Sequence, residues 1–227
     1  MSTDLTQEIK NNLTLIDEKI ADKCKYAGYE GLAPRLIAVS KVQPDDRIEA
    51  CLNAGQRVFG ENRVQEAQTR WQDRKGQYDD LTLVLIGGLQ TNKVADAVAL
   101  FDEIQTVDRI KLAQALKKEM DKQNRPLPVM IQVNTGEEEQ KGGCMPADLP
   151  ELVATCADLG LKVTGLMAIP PVGEDPSLHF HLLKKLAKRH GFERLSMGMS
   201  GDYDIAAAMG ATDIRVGTAI FGAREYS

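Results

Sequence analysis

Short β-rich runs alternate with longer amphipathic runs along most of the chain, and this alternation restricts the fold more than any other feature. The candidate strands are RLIAVSK (35–41), RVFGEN (57–62), LTLVLIG (81–87), EIQTVD (103–108), PVMIQVN (128–134), KVTGLMAI (162–169), RLSMGMS (194–200) and DIRVGTAIFG (213–222). They are near-continuously apolar, the pattern of strands covered on both faces. Between them, apolar residues at helical spacing predict helices over 45–54, 64–74, 93–100, 109–123, 147–159, 178–190 and 203–209. Ahead of the first strand, 5–25 places Ile9, Leu13, Ile16 and Ile20 at helical spacing, with Thr3 or Asp4 as the candidate cap.

Regular βα alternation implies right-handed crossovers and a parallel sheet. About eight βα units in 227 residues fit an α/β fold, a (β/α)8 TIM barrel with an additional N-terminal helix. A doubly wound open sheet is the main alternative. It usually carries a Gly-rich phosphate loop after its first strand, and none follows Lys41. No linker, low-complexity tract or internal repeat divides the chain. Residues 1–227 are therefore expected to form a single barrel domain, with 1–30 as a helical extension packed on it.

Composition sets bounds on function. Hydrophobic residues make up 43%, enough for a sizeable core, and the net charge of −5 argues against non-specific nucleic-acid binding. The start, MSTDLTQEIK, lacks a basic segment followed by an apolar run, so no secretory leader is expected. No stretch approaches the roughly 18 apolar residues of a membrane span. Cys24, Cys51, Cys144 and Cys156 are scattered without a CxxC pair and read as reduced thiols of a cytoplasmic protein.

In a (β/α)8 barrel, function sits at the carboxyl ends of the strands. Those ends carry Ser40-Lys41, Glu61-Asn62, the run GGLQTNK (87–93), Asn134, Pro170-Pro171, SMGMSGD (196–202) and RVGT (215–218). The last two segments are rich in Gly, Ser and Thr on strands seven and eight, where such barrels often bind phosphate through backbone N–H groups. Glycine lets the backbone approach an anion closely. Ser200 or Asp202 as a plain helix cap is the alternative for that segment. Lys41 reads either as a solvated strand end or as a ligand-holding amine. Strands one and eight are neighbours in a closed barrel, so a lysine and a phosphate cradle would face one mouth. That is the minimum needed for pyridoxal 5′-phosphate (PLP), whose aldehyde forms a Schiff base with lysine.

Six segments in order carry a family resemblance: AVSK (38–41), FGENRVQEA (59–67), IGGLQTNK (86–93), GLMAIPP (165–171), LSMGMSGD (195–202) and RVGTAIFGAREYS (215–227). From about residue 35 onward the chain resembles the pyridoxal phosphate homeostasis protein family, PLP-binding proteins with a barrel like the N-terminal domain of alanine racemase. The resemblance implies that Lys41 carries the internal aldimine. It implies that Ser200, Gly217 and Thr218 hold the phosphate with the Met199 amide close by, that Arg215 faces the pyridine nitrogen, and that Asn62 lies beside the ring. Arginine stays protonated, so an arginine there disfavours a protonated ring and weakens it as an electron sink. The chain departs from the family at Leu83 and Val84, where an aromatic-His pair is common, and at Gly88, where His or Pro is common. No role is carried onto those positions.

Other constellations are weaker. His179 and His181 point in divergent directions on a helix, without an acidic or cysteine partner placed for a metal. GEEEQKGG (136–143) reads as a solvated loop, and Lys75, Lys93 and Lys141 as surface lysines of which one could accept a second PLP. The resemblance implies intracellular PLP homeostasis, by buffering or delivery, without catalytic turnover. A PLP-dependent amino-acid racemase is the competing function. Two-base racemisation needs a second acid/base on the far face of the cofactor, supplied in alanine racemases by a further β-domain. The sequence shows no such domain before it ends at Ser227, and no motif places Tyr203 or Tyr226 in that role. The same consideration favours a monomer. PLP-dependent apoenzymes are the expected transient partners, with neither nucleic acid nor membrane.

Overall fold

A computed structural model of the chain describes residues 2–222. Eight parallel strands close into a barrel in chain order: β1 (Arg35–Val39), β2 (Val58–Glu61), β3 (Thr82–Leu85), β4 (Glu103–Val107), β5 (Val129–Gln132), β6 (Val163–Met167), β7 (Arg194–Ser196) and β8 (Asp213–Val216). Strand β1 pairs with both β2 and β8, in the latter case with Arg35 opposite Asp213 and Ala38 opposite Val216. That closure excludes the open doubly wound sheet.

The helices are α1 (Ser2–Tyr26), α2 (Asp45–Asn53), α3 (Val64–Lys75), α4 (Val94–Leu100) after a short 3-10 turn, α5 (Ile110–Lys122), α6 (Leu149–Asp158), α7 (Pro176–His190), α8 (Tyr203–Ala208) and α9 (Thr218–Phe221). Local chemistry explains their limits. Helix α7 starts where the Asp175 carboxylate accepts from the Ser177 N–H at 2.9 Å, with Pro176 in the first turn. It stops at Gly191, whose φ of +73° suits a residue without Cβ. Helix α5 buries Leu112, Leu116 and Met120 at four-residue spacing. Trp71 of α3 packs on Phe59 of β2 with ring centroids 4.6 Å apart, both fully buried.

Three expectations need correction. Helix α1 begins at Ser2, so Thr3 and Asp4 lie in its first turn and cannot be its N-cap. The strands are shorter than their apolar runs. A closed barrel needs only a few paired residues per strand, and the remainder turns over the mouth. Thus β1 stops at Val39, although the Ser40 N–H still donates to the Gly60 carbonyl at 3.2 Å. The run 213–222 also divides: β8 ends at Val216, Gly217 leaves the extended conformation, and 218–221 turns into α9.

Helix α1 buries Ile9, Leu13, Ile16, Ile20 and Cys24 and packs against α2, α8 and α9. It lies behind the seam between β8 and β1. The Asn12 amide donates to the Ile220 carbonyl at 2.9 Å, and Arg47 donates to the Phe221 carbonyl at 2.6 Å, so α9 is held from outside. Among the described residues, no helix is long and apolar enough to cross a membrane.

Inside the barrel, side chains of alternating residues meet. Ile37, Val39, Val84 and Ile86 form an apolar cluster of their own. At the amino ends of the strands, Arg35 and Arg194 clamp Glu103 and Asp213, with Arg35 Nη2 to Glu103 Oε2 at 2.8 Å and Arg194 Nη2 to Asp213 Oδ1 at 2.9 Å. Both carboxylates are buried, and each is bonded to both arginines, as burial of charge requires.

Candidate functional site

At the carboxyl ends of the strands lies a cavity of about 270 Å³. Lys41 reaches it from the turn after β1, Asn62 from the turn after β2, Met199 and Ser200 from the loop after β7, Arg215 from β8, and Gly217 and Thr218 from the turn into α9. All seven residues singled out in the sequence therefore line one cavity. Val39, Ile86 and Ile169 add apolar wall. Volume alone does not mark function: a cavity of about 410 Å³ lies at the amino ends of β5 and β6, lined by residues such as Met120, Leu127 and Leu161.

Asp202 occupies the N-cap position of α8, its carbonyl accepting from the Ala206 N–H at 3.0 Å, but its side chain makes no capping bond. The Ser200 hydroxyl is turned towards β8, where the backbone N–H groups of Gly217 and Ala219 point at its oxygen from 3.3 and 3.5 Å. The Met199 N–H, in the same loop, donates to Asp202 Oδ1 at 2.6 Å. The carboxylate three residues on closes the turn. Gly198 permits this loop: its φ is +91°, and a Cβ there would stand 2.5 Å from the Ala206 Cβ.

Arg215 is buried in the barrel. Its Nη1 donates to the Ser196 hydroxyl at 2.6 Å and its Nη2 to the Ala168 carbonyl at 2.8 Å. Burial pushes the guanidinium down to about 10, with Asp213 and Asp202 opposing the shift. It is thus a cation at neutral pH, bonded to neutral acceptors and bordering the cavity.

Lys41 and Asn62 are anchored from behind. Ser40 and Glu61 are fully buried, and Glu61 Oε1 accepts from Ser40 Oγ at 2.7 Å, Arg70 Nη1 at 2.8 Å and Trp71 Nε1 at 2.9 Å. Val42, directly after Lys41, has a φ of +60°, a left-handed conformation unusual for a β-branched residue. Gly87 backs Asn62 closely, since a Cβ there would stand 2.1 Å from the Asn62 carbonyl oxygen.

Sequence reasoning passed over Gln105, Ser196 and the part played by Glu61. The available signal was polar residues inside otherwise apolar strand runs. The remaining candidates fall elsewhere. Tyr203 is buried outside the cavity lining, with the Lys19 ammonium 5.0 Å from its ring centre. Tyr226 lies outside the described residues. His179 is buried between Thr135 and Glu174, and His181 is exposed. Lys75 pairs with Asp102 at 2.7 Å and Lys141 with Glu138 at 2.5 Å, while Lys93 lines a neighbouring cleft that shares Asn62.

Comparison with known proteins gives consistent results. The family model described as "Alanine racemase, N-terminal domain" matches residues 7–225, so the matched region takes in most of α1 as well as the barrel. The chain is 38% identical to the pyridoxal phosphate homeostasis protein of Haemophilus influenzae, over 96% of this chain and 97% of that one. Among solved structures, PipY of Synechococcus elongatus is 37% identical with a TM-score of 0.80, over 89% of this chain and 100% of that one, and has also been solved with PLP bound. The alanine racemase of Corynebacterium glutamicum shares the fold, with 14% identity and a TM-score of 0.72 over 98% of this chain and 62% of that one.

Proposed function

Because the chain belongs to the pyridoxal phosphate homeostasis protein family, with the alanine racemase N-terminal-domain barrel, we propose that it binds PLP in the mouth cavity and serves homeostasis of that cofactor. It buffers or delivers PLP and has no catalytic turnover of its own. One observation carries this reading: Lys41, Arg215, Ser200 and Gly217 border the same 270 Å³ cavity.

When bound, the cofactor supplies an aldehyde open to amines and an electron-withdrawing ring. Lys41 offers the amine. Ser200, Gly217 and Thr218 bind the phosphate, with the Gly217 and Ala219 N–H groups turned towards the Ser200 oxygen. Their mutual contacts of 3.3 and 3.5 Å are longer than the usual 2.7–3.2 Å, so a phosphate oxygen is the better acceptor for the same N–H groups. Val39, Ile86 and Ile169 supply apolar surface to the ring, and Asn62 lies beside it. Arg215 donates to the ring nitrogen and, being a cation, opposes protonation there. A ring without that proton stabilises a carbanion poorly, which weighs against racemisation, and Tyr203 is not in place to act as a second acid. In this reading the protein is a cytoplasmic monomer that meets PLP-dependent apoenzymes transiently.

The test uses borohydride and isotope exchange. Reduction of the PLP-loaded protein should fix the cofactor mass to the peptide containing Lys41. In deuterated water, L-alanine and other L-amino acids should exchange their α-hydrogen no faster than with the Lys41→Ala protein. Turnover in the range of about 1–10³ per second, with D-isomer formed, would overturn the carrier reading.

A further inference from the structure

Arg215 is the inner end of a hydrogen-bonded chain that crosses the barrel. Ser196 Oγ, which accepts from Arg215 Nη1, itself donates to Gln105 Oε1 at 2.6 Å. Gln105 Nε2 donates to Glu103 Oε1 at 2.8 Å. Glu103 belongs to the clamp with Arg35, Arg194 and Asp213 at the opposite end of the strands. Ser196 and Gln105 have no exposed surface.

Each link fixes the next. The Glu103 carboxylate accepts from two arginines and from Gln105, so it is the NH2 of the Gln105 amide that faces it. That leaves the amide oxygen towards Ser196. Ser196 has a single hydroxyl proton, which goes to this oxygen, so only lone pairs remain for Arg215. Towards Arg215 the hydroxyl is thus an acceptor only. Arg215 Nη1 is pinned to it, and Nη2 is pinned by the Ala168 carbonyl. The planar guanidinium loses rotational freedom, and its remaining N–H groups have a set direction.

We propose that Gln105 and Ser196 are positioning residues that aim Arg215 at the nitrogen of a pyridine-type ligand, using the carboxylate of Glu103 at the far end of the barrel as the polarity-setting group. The proposal rests on the placement of PLP given above. It adds that recognition of the ring nitrogen depends on side chains outside the lining of the cavity.

The test compares two ligands: PLP, and its 1-deaza analogue, in which a C–H replaces the ring nitrogen. Equilibrium binding to each is measured for the full chain and for Ser196→Ala, Gln105→Met and Arg215→Met, with thermal unfolding of each protein alongside. Arg215→Met should weaken PLP and leave the deaza analogue little changed. Ser196→Ala and Gln105→Met should do the same to a lesser degree, about tenfold on PLP. A protein damaged only in its packing loses both ligands alike, so the ratio between them separates positioning from folding. If Arg215→Met discriminates between the ligands and neither other variant does, positioning by Gln105 and Ser196 is refuted while the placement of PLP stands. If Arg215→Met itself shows no discrimination, Arg215 does not face the ring nitrogen and the proposal fails with that placement. Equal loss of both ligands in Ser196→Ala and Gln105→Met also overturns it.

Discussion

The Ser40 hydroxyl donates to Glu61 Oε1 at 2.7 Å, joining the residue before Lys41 to the residue before Asn62 beneath the floor of the mouth. Both groups are fully buried, and the same carboxylate oxygen takes bonds from Arg70 and Trp71. Glu61→Ala leaves the Arg70 guanidinium, 14% exposed, without this counter-charge, and should cost about 3–5 kcal/mol. Ser40→Ala should cost about 1–3 kcal/mol. Because the two residues share one bond, the double variant should cost less than the sum by roughly 0.5 kcal/mol or more. Urea unfolding of the four proteins measures this coupling, and strictly additive losses would show that the bond contributes nothing.

Ser200 is the most specific probe of the cradle. On the proposed placement of PLP, Ser200→Ala removes a hydrogen bond to its charged phosphate, worth about 1.5–3 kcal/mol, and should weaken PLP retention roughly ten- to a hundredfold. Pyridoxal, which lacks the phosphate, should respond much less. Equal losses for both ligands would assign Ser200 to loop structure alone.

Gly87 and Gly88 are adjacent and should behave in opposite ways. A Cβ on Gly87 meets the Asn62 backbone at 2.1 Å, whereas one on Gly88 meets nothing within 4 Å. Gly87→Ala should therefore destabilise by about 1–3 kcal/mol and, by displacing Asn62, lower PLP affinity as well. Gly88→Ala should stay within about 0.5 kcal/mol of the parent. Thermal unfolding with and without PLP reads both effects, and a neutral Gly87→Ala would contradict the close packing of the two turns.

The buried thiols make stability depend on alkaline pH. Burial pushes Cys51 and Cys144 up from 9.0 to about 12. Above about pH 9 the unfolded chain releases these protons while the folded chain keeps them. Stability is therefore full below about pH 9 and falls as pH rises towards 12, by roughly 1.4 kcal/mol per pH unit for each thiol. Urea unfolding under reducing conditions at several pH values should give Cys51→Ala a shallower alkaline decline than the parent. Identical slopes would mean that Cys51 ionises equally in both states. In the same range, the native protein should resist alkylation at Cys51 and Cys144 until it is unfolded.

Much of this molecule can be read from the order of its residues. Alternation of apolar runs determined the eight strands, the helices between them and a barrel closed by parallel neighbours. Residues at strand ends must gather at one mouth once the barrel closes, which set Lys41 opposite the segments 196–202 and 215–218; the family resemblance singled out Lys41, Asn62, Met199, Ser200, Arg215, Gly217 and Thr218, and all seven line one cavity. What the sequence could not supply is which polar groups meet. Ser196 and Gln105 are 91 residues apart, and their bond depends on how far each strand slides along the next and on the inward direction of two side chains. The pairing of Ser40 with Glu61, the turn of Ser200 towards β8 and the short α9 depend on the same registers. Local propensity is blind to these, because a hydrogen bond needs both partners within about 3 Å, and only the closed barrel brings residues from distant strands so near.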